Sequence, residues 1–201
     1  MIRLIIMFSA FAALSVLVIG FVNDILSLKP VYFGYLLAIA GLGMGLGALI
    51  TGKFGNKIGK NVLIFNGFIA SGISLIILAN TSSISSLIGF ETQNFKIFFA
   101  FLMALIVGFS SSLCVIPLQT ILQEVTEERM RGKVFGVQNM AVNTAMTVPM
   151  ALSGFLADIL DGKFFNLKGV VTVMIFIGIL VLLGGLMDIF LGKENKVLAE
   201  E

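Results

Sequence analysis

The side chains able to do chemistry are few, and most lie in one stretch, GFSSSLCVIPLQT, residues 108–120. Ser110, Ser111, Ser112 and Cys114 fall near the middle of a long apolar run, with Gln119 closer to its end. Two readings are open. The hydroxyls bond back to carbonyls of their own helix, as serines inside apolar helices do. Alternatively, Ser111, Cys114 and Gln119 form a mildly polar cavity wall. Pro117 removes one helix hydrogen bond and permits a kink. Phe8, Phe11 and Ser15, in an earlier apolar run, could complete such a wall with aromatic and hydroxyl surface. The result would be an adaptable pocket for a lipophilic compound.

Other chemistry lacks its residues. The chain has no histidine, and its single cysteine, Cys114, cannot form an intrachain disulfide. There is no clustered ligand set, no glycine-rich phosphate loop and no nucleophile–base pair, so neither a metal, a cofactor nor an enzyme activity is expected. The formal net charge of +2 is too small, and its lysines too scattered, for a nucleic-acid partner. Asp158 and Asp188 sit near the ends of apolar runs, where they can reach an interface.

The elements that must position these residues follow from composition. Of 201 residues, 58% are hydrophobic and 12% charged, and the mean hydropathy is +1.09. Soluble domains carry about 25% charged residues. The chain reads as an integral membrane protein whose partner is the lipid bilayer. Six apolar runs approach the ~20 residues that a spanning helix needs: about 4–22, 33–51, 62–79, 97–121, 134–157 and 170–191. None alternates as a barrel strand would, so the expected fold is all-α. The first run, after Arg3, is too long for a signal peptide, and no small-residue cleavage pattern follows it.

Basic residues orient the spans. Arg3, Lys53, Lys57, Lys60, Arg129, Arg131, Lys133, Lys193 and Lys196 fall on one side, and Lys29, Lys96, Lys163 and Lys168 on the other. Nine against four predicts cytoplasmic termini, with a cytoplasmic tail at 192–201. The segment 122–133, with Glu124, Glu127 and Glu128 among its arginines, reads as a solvated helix end with local ion pairs, or as a latch toward another bundle.

The second span reads FGYLLAIAGLGMGLGALITG. Ala38, Gly41, Gly45, Ala48 and Gly52 recur at helical spacing on one face, and Gly43 and Gly47 widen it. Small faces let helices approach closely in lipid. The contact is either within this bundle or with a second one. In the fifth span, Asn139, Asn143 and Thr147 form a polar stripe that should not face lipid.

Two motifs carry a resemblance. GKFGNKIGKN, residues 52–61, resembles the cytoplasmic signature loop of the major facilitator superfamily, roughly Gly-x-Leu-Ala-Asp-Arg-x-Gly-Arg-Lys, between the second and third helices of a six-helix half. Gly52, Lys57, Gly59 and Lys60 match in kind; Asn56 stands where the first-half copy has aspartate, which suits the degenerate second-half copy. VIPLQTILQEVTEERMRGKVFGVQNM, residues 115–140, is similar to the region between the fourth and fifth helices of the C-terminal half in bacterial drug and macrolide exporters, through Pro117, Gln119, Thr120, Gln123, Arg131, Gly132, Lys133 and Val134.

The resemblance implies one half of a twelve-helix fold and a bacterial cell-membrane location. It implies the C-terminal half, or a fragment, of a secondary active transporter that exports drug-like or siderophore-like molecules by alternating access. The partners would be a missing N-terminal six-helix half, a small lipophilic substrate and, for a proton-driven carrier, protons whose carboxylate lies in the missing half. The first and fourth spans would line the cavity, the third and sixth face lipid, and the second and fifth meet the other half. Gly41, Gly45, Gly52, Asn56, Lys57, Gly59, Lys60, Arg131, Gly132, Asn139 and Asn143 are then the inter-half packing and gating residues. The rival readings are a non-transporting six-span scaffold or assembly protein, and an inactive remnant.

Overall fold

The computed structural model describes residues 2–89, 92–161 and 168–197, with side chains of Ile2, Arg3, Asn56, Ile88 and residues 187–197 outside the description. The helices are α1 (Ile2–Gly20), α2 (Val31–Ile58), α3 (Lys60–Ala79), α4 (Thr81–Ile88), α5 (Gln93–Val125), α6 (Arg131–Ile159) and α7 (Gly169–Val197). Among the described residues there is no strand. All helices but α4 are long and apolar enough to cross a membrane. The chain is therefore a multi-pass, all-helical membrane protein.

Several helices outrun the hydropathy. The 28 residues of α2 span ~42 Å at 1.5 Å per residue, more than a hydrocarbon core of ~30 Å. Residues 52–58, expected as loop, are its last turns, and the connection to α3 shrinks to Gly59. Gly59 has φ 85°, a backbone that favours glycine, so a single residue reverses the chain there. Likewise α5 continues through Pro117 to Val125, and one 3₁₀ turn, Glu128–Met130, precedes α6. The last helix runs to Val197, through most of the expected tail. The short α4, unforeseen from hydropathy, follows Asn80, whose Nδ2 donates to the Ile76 carbonyl at 2.9 Å, and ends at left-handed Gly89. A π-helical turn, Phe21–Ile25, ends α1.

The pairings show an internal repeat. The chief pairs are α2 with α5, α3 with α5, α3 with α7, α1 with α6, α6 with α7 and α1 with α7, with a lesser contact of α2 with α3. Exchanging α1 with α5, α2 with α6, and α3 with α7 maps this set onto itself. Three spans per unit reverse the direction across the membrane, so the two units are inverted, as in transporter halves. Side-chain bonds tie two of these pairs: Ser9 Oγ donates to the Ala145 carbonyl at 3.1 Å, joining α1 to α6, and Lys60 at the start of α3 reaches Glu124 at the end of the antiparallel α5.

Close packing relies on glycines. A Cβ at Gly43 would lie 2.2 Å from the Leu105 carbonyl oxygen, one at Gly47 2.6 Å from that of Phe109, and one at Gly108 2.0 Å from that of Ala40. Backbone therefore meets backbone between α2 and α5, the dispersion-driven packing that lipid permits. Between α3 and α7, Gly72 and Gly178 face each other in the same way. Met7, Leu17, Phe21, Ile64, Phe68 and Met174 fill the core between these pairs.

Candidate functional site

A half-open apolar cavity of about 80 Å³ lies between α1, α2, α3 and α5. Phe11 and Ser15 of α1 line it with Leu36 and Ala40 of α2, Leu75 of α3 and Ala104 of α5. A smaller void of about 10 Å³ lies deeper, against Met7, Ala10, Ser71, Ser111 and Val181. Phe11, Leu14, Leu75 and Val107 line both. No Asp, Glu, Lys or Arg lines either one, so the surface holds no fixed charge. Helical spacing explains the α1 contribution: Phe11, Leu14, Ser15 and Val18 fall on one face.

Of the sequence-predicted cavity residues, Phe11 lines both cavities, Ser15 only the outer one and Ser111 only the inner void. Phe8 is half-buried against the core and lines neither cavity. Cys114 is fully buried and turned to α3: its Sγ lies 3.3 Å from the Ile64 carbonyl, and a Cβ on Gly67 would meet that sulfur at 2.6 Å. Gln119 is half-buried and lines neither. The serines bond to their own helix. Ser110 donates to Ile106 at 2.7 Å, Ser111 to Val107 at 2.6 Å and Ser112 to Phe109 at 2.8 Å. Ser15 likewise donates to Phe11 at 2.9 Å. Each hydroxyl has spent its proton but keeps acceptor capacity. Sequence reading missed Leu36, Ala40, Leu75 and Ala104, because a wall shared by four helices has no linear signature.

The proposed packing and gating residues divide. Gly41, Gly45 and Gly52 stand on an open face of α2, with nothing within 4 Å of a Cβ built on them. Gly43 and Gly47 hold the opposite contact with α5. On α6, Asn139 and Asn143 are exposed, and the exposed Thr147 donates to the Asn143 carbonyl at 2.9 Å. At the α2–α3 end Lys57 is exposed, whereas Lys60 pairs with Glu124. Arg131 is exposed, 3.6 Å from Glu128, and Gly132 stands open beside it. The side chain of Asn56 lies outside the described residues, as do those of Arg3 and Asp188 and the whole of Lys163.

A polar cavity of about 360 Å³ occupies the opposite end, lined by Asp24, Asp158, Asp161 and Lys168. Its groups already serve local structure. Asp161 Oδ1 accepts from the Gly169 N–H at 2.9 Å, satisfying the first amide of α7, and Lys168 donates to the Asp24 carbonyl. Among the described residues, no group of three or more ligating side chains could hold a metal ion.

Comparison with curated proteins and with solved structures finds no match to this chain. The model of the Major Facilitator Superfamily matches residues 1–200. That match spans nearly the whole chain and agrees with six spanning helices in two inverted triplets, so the protein belongs to the major facilitator superfamily of transporters.

Proposed function

We propose that the chain is the C-terminal half of a secondary active transporter that exports drug-like or siderophore-like lipophilic molecules by alternating access. In this reading the second half packs along α2 and α6, the termini are cytoplasmic, and Phe11, Ser15 and Ser111 belong to the substrate cavity. The proton-carrying carboxylate, where coupling is to protons, lies in the second half.

One observation carries the reading. In α2 and α6 only 17% of the most apolar stretch is buried, against 39–56% in the other spans. Their uncovered faces differ from lipid-facing surface. That of α6 presents Asn139, Asn143 and Thr147, whose polar groups hydrocarbon cannot satisfy. That of α2 presents Gly41, Gly45 and Gly52, suited to close helix approach. A second bundle over both faces answers both needs. The nine-to-four basic asymmetry supports the orientation.

Retention of a lipophilic fluorescent dye tests export. Native cells lacking the gene should retain more dye than cells carrying it, and the double substitution Asn139→Leu/Asn143→Leu should behave as a deletion. Equal retention across all three strains overturns the export reading and favours a scaffold. An immunoblot against the tail LGKENKVLAEE tests the half assignment: a band near twice 21.6 kDa supports a covalently joined second half.

A further inference from the structure

The inner void differs from the outer cavity in its hydroxyls. Ser71 of α3 lines it and is only 2% exposed, and among the described residues its hydroxyl has no hydrogen-bond partner. Ser15, Ser110, Ser111 and Ser112 behave otherwise, each returning its proton to a carbonyl of its own helix. Ser71 therefore keeps one donor and two acceptor sites. Ser111 of α5 lines the same void. Its proton is committed to the Val107 carbonyl at 2.6 Å, but its oxygen can still accept. The wall thus offers a donor from one helix and acceptors from two.

Size and setting name the occupant. The void measures about 10 Å³, close to the ~10–15 Å³ that a single water needs. A buried water also needs at least two polar partners, whereas cavities that stay dry are apolar throughout. The rest of the wall is apolar and no charged side chain lines it, so an ion would be desolvated without compensation. Ser71 lies ~16 Å along α3 from Lys60, near the middle of a hydrocarbon core of ~30 Å. At that depth an unmade hydrogen bond is costly. The void is lined by α1 and its counterpart α5, and by α3 and its counterpart α7, so it lies where the two inverted triplets meet.

We propose that the inner void binds a single water molecule, which accepts from Ser71 Oγ and donates to Ser111 Oγ. The water joins α3 of one triplet to α5 of the other at the centre of the bundle. Such a bridge is nearly as favourable as a direct hydrogen bond. The site goes beyond the export reading and does not depend on it.

Hydroxyl-radical footprinting with X-ray pulses tests this, because radiolysis of a bound water oxidises the side chains beside it. Met7 lines the void and is 1% exposed, whereas the fully buried Met174 lines neither cavity. Methionine takes up oxygen as the sulfoxide. In the purified chain in lipid nanodiscs, Met7 should gain oxygen within the pulse and Met174 should not. Ser71→Ala and Ser111→Ala each leave one polar partner, too few to hold a water, and each should abolish the Met7 signal. If one of these variants does not fold, the other carries the same test. Ser74→Ala, at a buried serine of α3 that lines neither cavity, should leave the signal intact. Met7 as inert as Met174, Met7 labelling that survives the loss of Ser71 or Ser111, or labelling lost equally in Ser74→Ala would each overturn the proposal. The second result would mean that radicals arrive through the outer cavity.

Discussion

Lys60 Nζ donates to both carboxylate oxygens of Glu124, tying the first turn of α3 to the last turn of α5. The pair closes the bundle beside the one-residue turn at Gly59, the point where α2, α3 and α5 end together. Its side chains are 26% and 58% exposed, so water screens the attraction. Substituting Lys60→Ala or Glu124→Ala should therefore cost only about 0.2–1 kcal/mol, and the double variant no more than either single one. Thermal unfolding of the purified chain in detergent checks this. Additive losses would mean that the two residues act independently.

The two glycine faces of α2 should respond oppositely. Gly47→Ala and Gly108→Ala each place a methyl group on a neighbouring backbone carbonyl and should cost about 1–3 kcal/mol by overpacking. Gly45→Ala meets nothing within 4 Å and should not destabilise the isolated chain; greater helix propensity makes it neutral to slightly stabilising. Melting curves of the three variants distinguish the faces. If Gly45→Ala impairs dye export while leaving the melting temperature unchanged, its face meets another bundle.

Cys114 should serve as a reporter of unfolding. It is fully buried and seated against Gly67 and the Ile64 carbonyl. A membrane-permeant maleimide should leave the folded protein unmodified and label it only above the melting transition. Rapid labelling at low temperature would show that α3 and α5 separate in the native ensemble. Cys114→Leu, which needs volume that Gly67 does not leave, should destabilise more than Cys114→Ser.

The junction of α6 and α7 depends on Asp161. Its carboxylate accepts from the Gly169 amide, and a Cβ on Gly169 would lie 1.7 Å from the Ala157 carbonyl oxygen. Asp161→Ala removes the acceptor and should cost about 0.5–1.5 kcal/mol. Gly169→Ala must displace one helix and should cost more. Hydrogen exchange at the start of α7 reads both, and unchanged protection in either variant would contradict this account.

Hydropathy sufficed for the six spans and the all-helical class, because a bilayer leaves a backbone no other way to satisfy itself except a closed barrel. Signature residues from Gly52 to Asn61 and from Val115 to Met140 carried the family. Helix ends were less legible. Turns at 52–58 and 122–125 continue their helices although the apolar pattern has stopped, since nothing but Gly59 or the extended Thr126 breaks them. The choice between the two glycine faces was not legible at all. Glycines at 41, 43, 45 and 47 look alike along the chain, and only the arrival of α5 separates the filled face from the open one. The cavity is of the same kind. Phe11 and Ser111 stand 100 positions apart, and it takes the antiparallel packing of α3 between α5 and α7, with α1 laid across them, to set both against one void. Short-range periodicity encodes which residues are apolar; which of them meet is decided by the shapes of whole helices packed against each other.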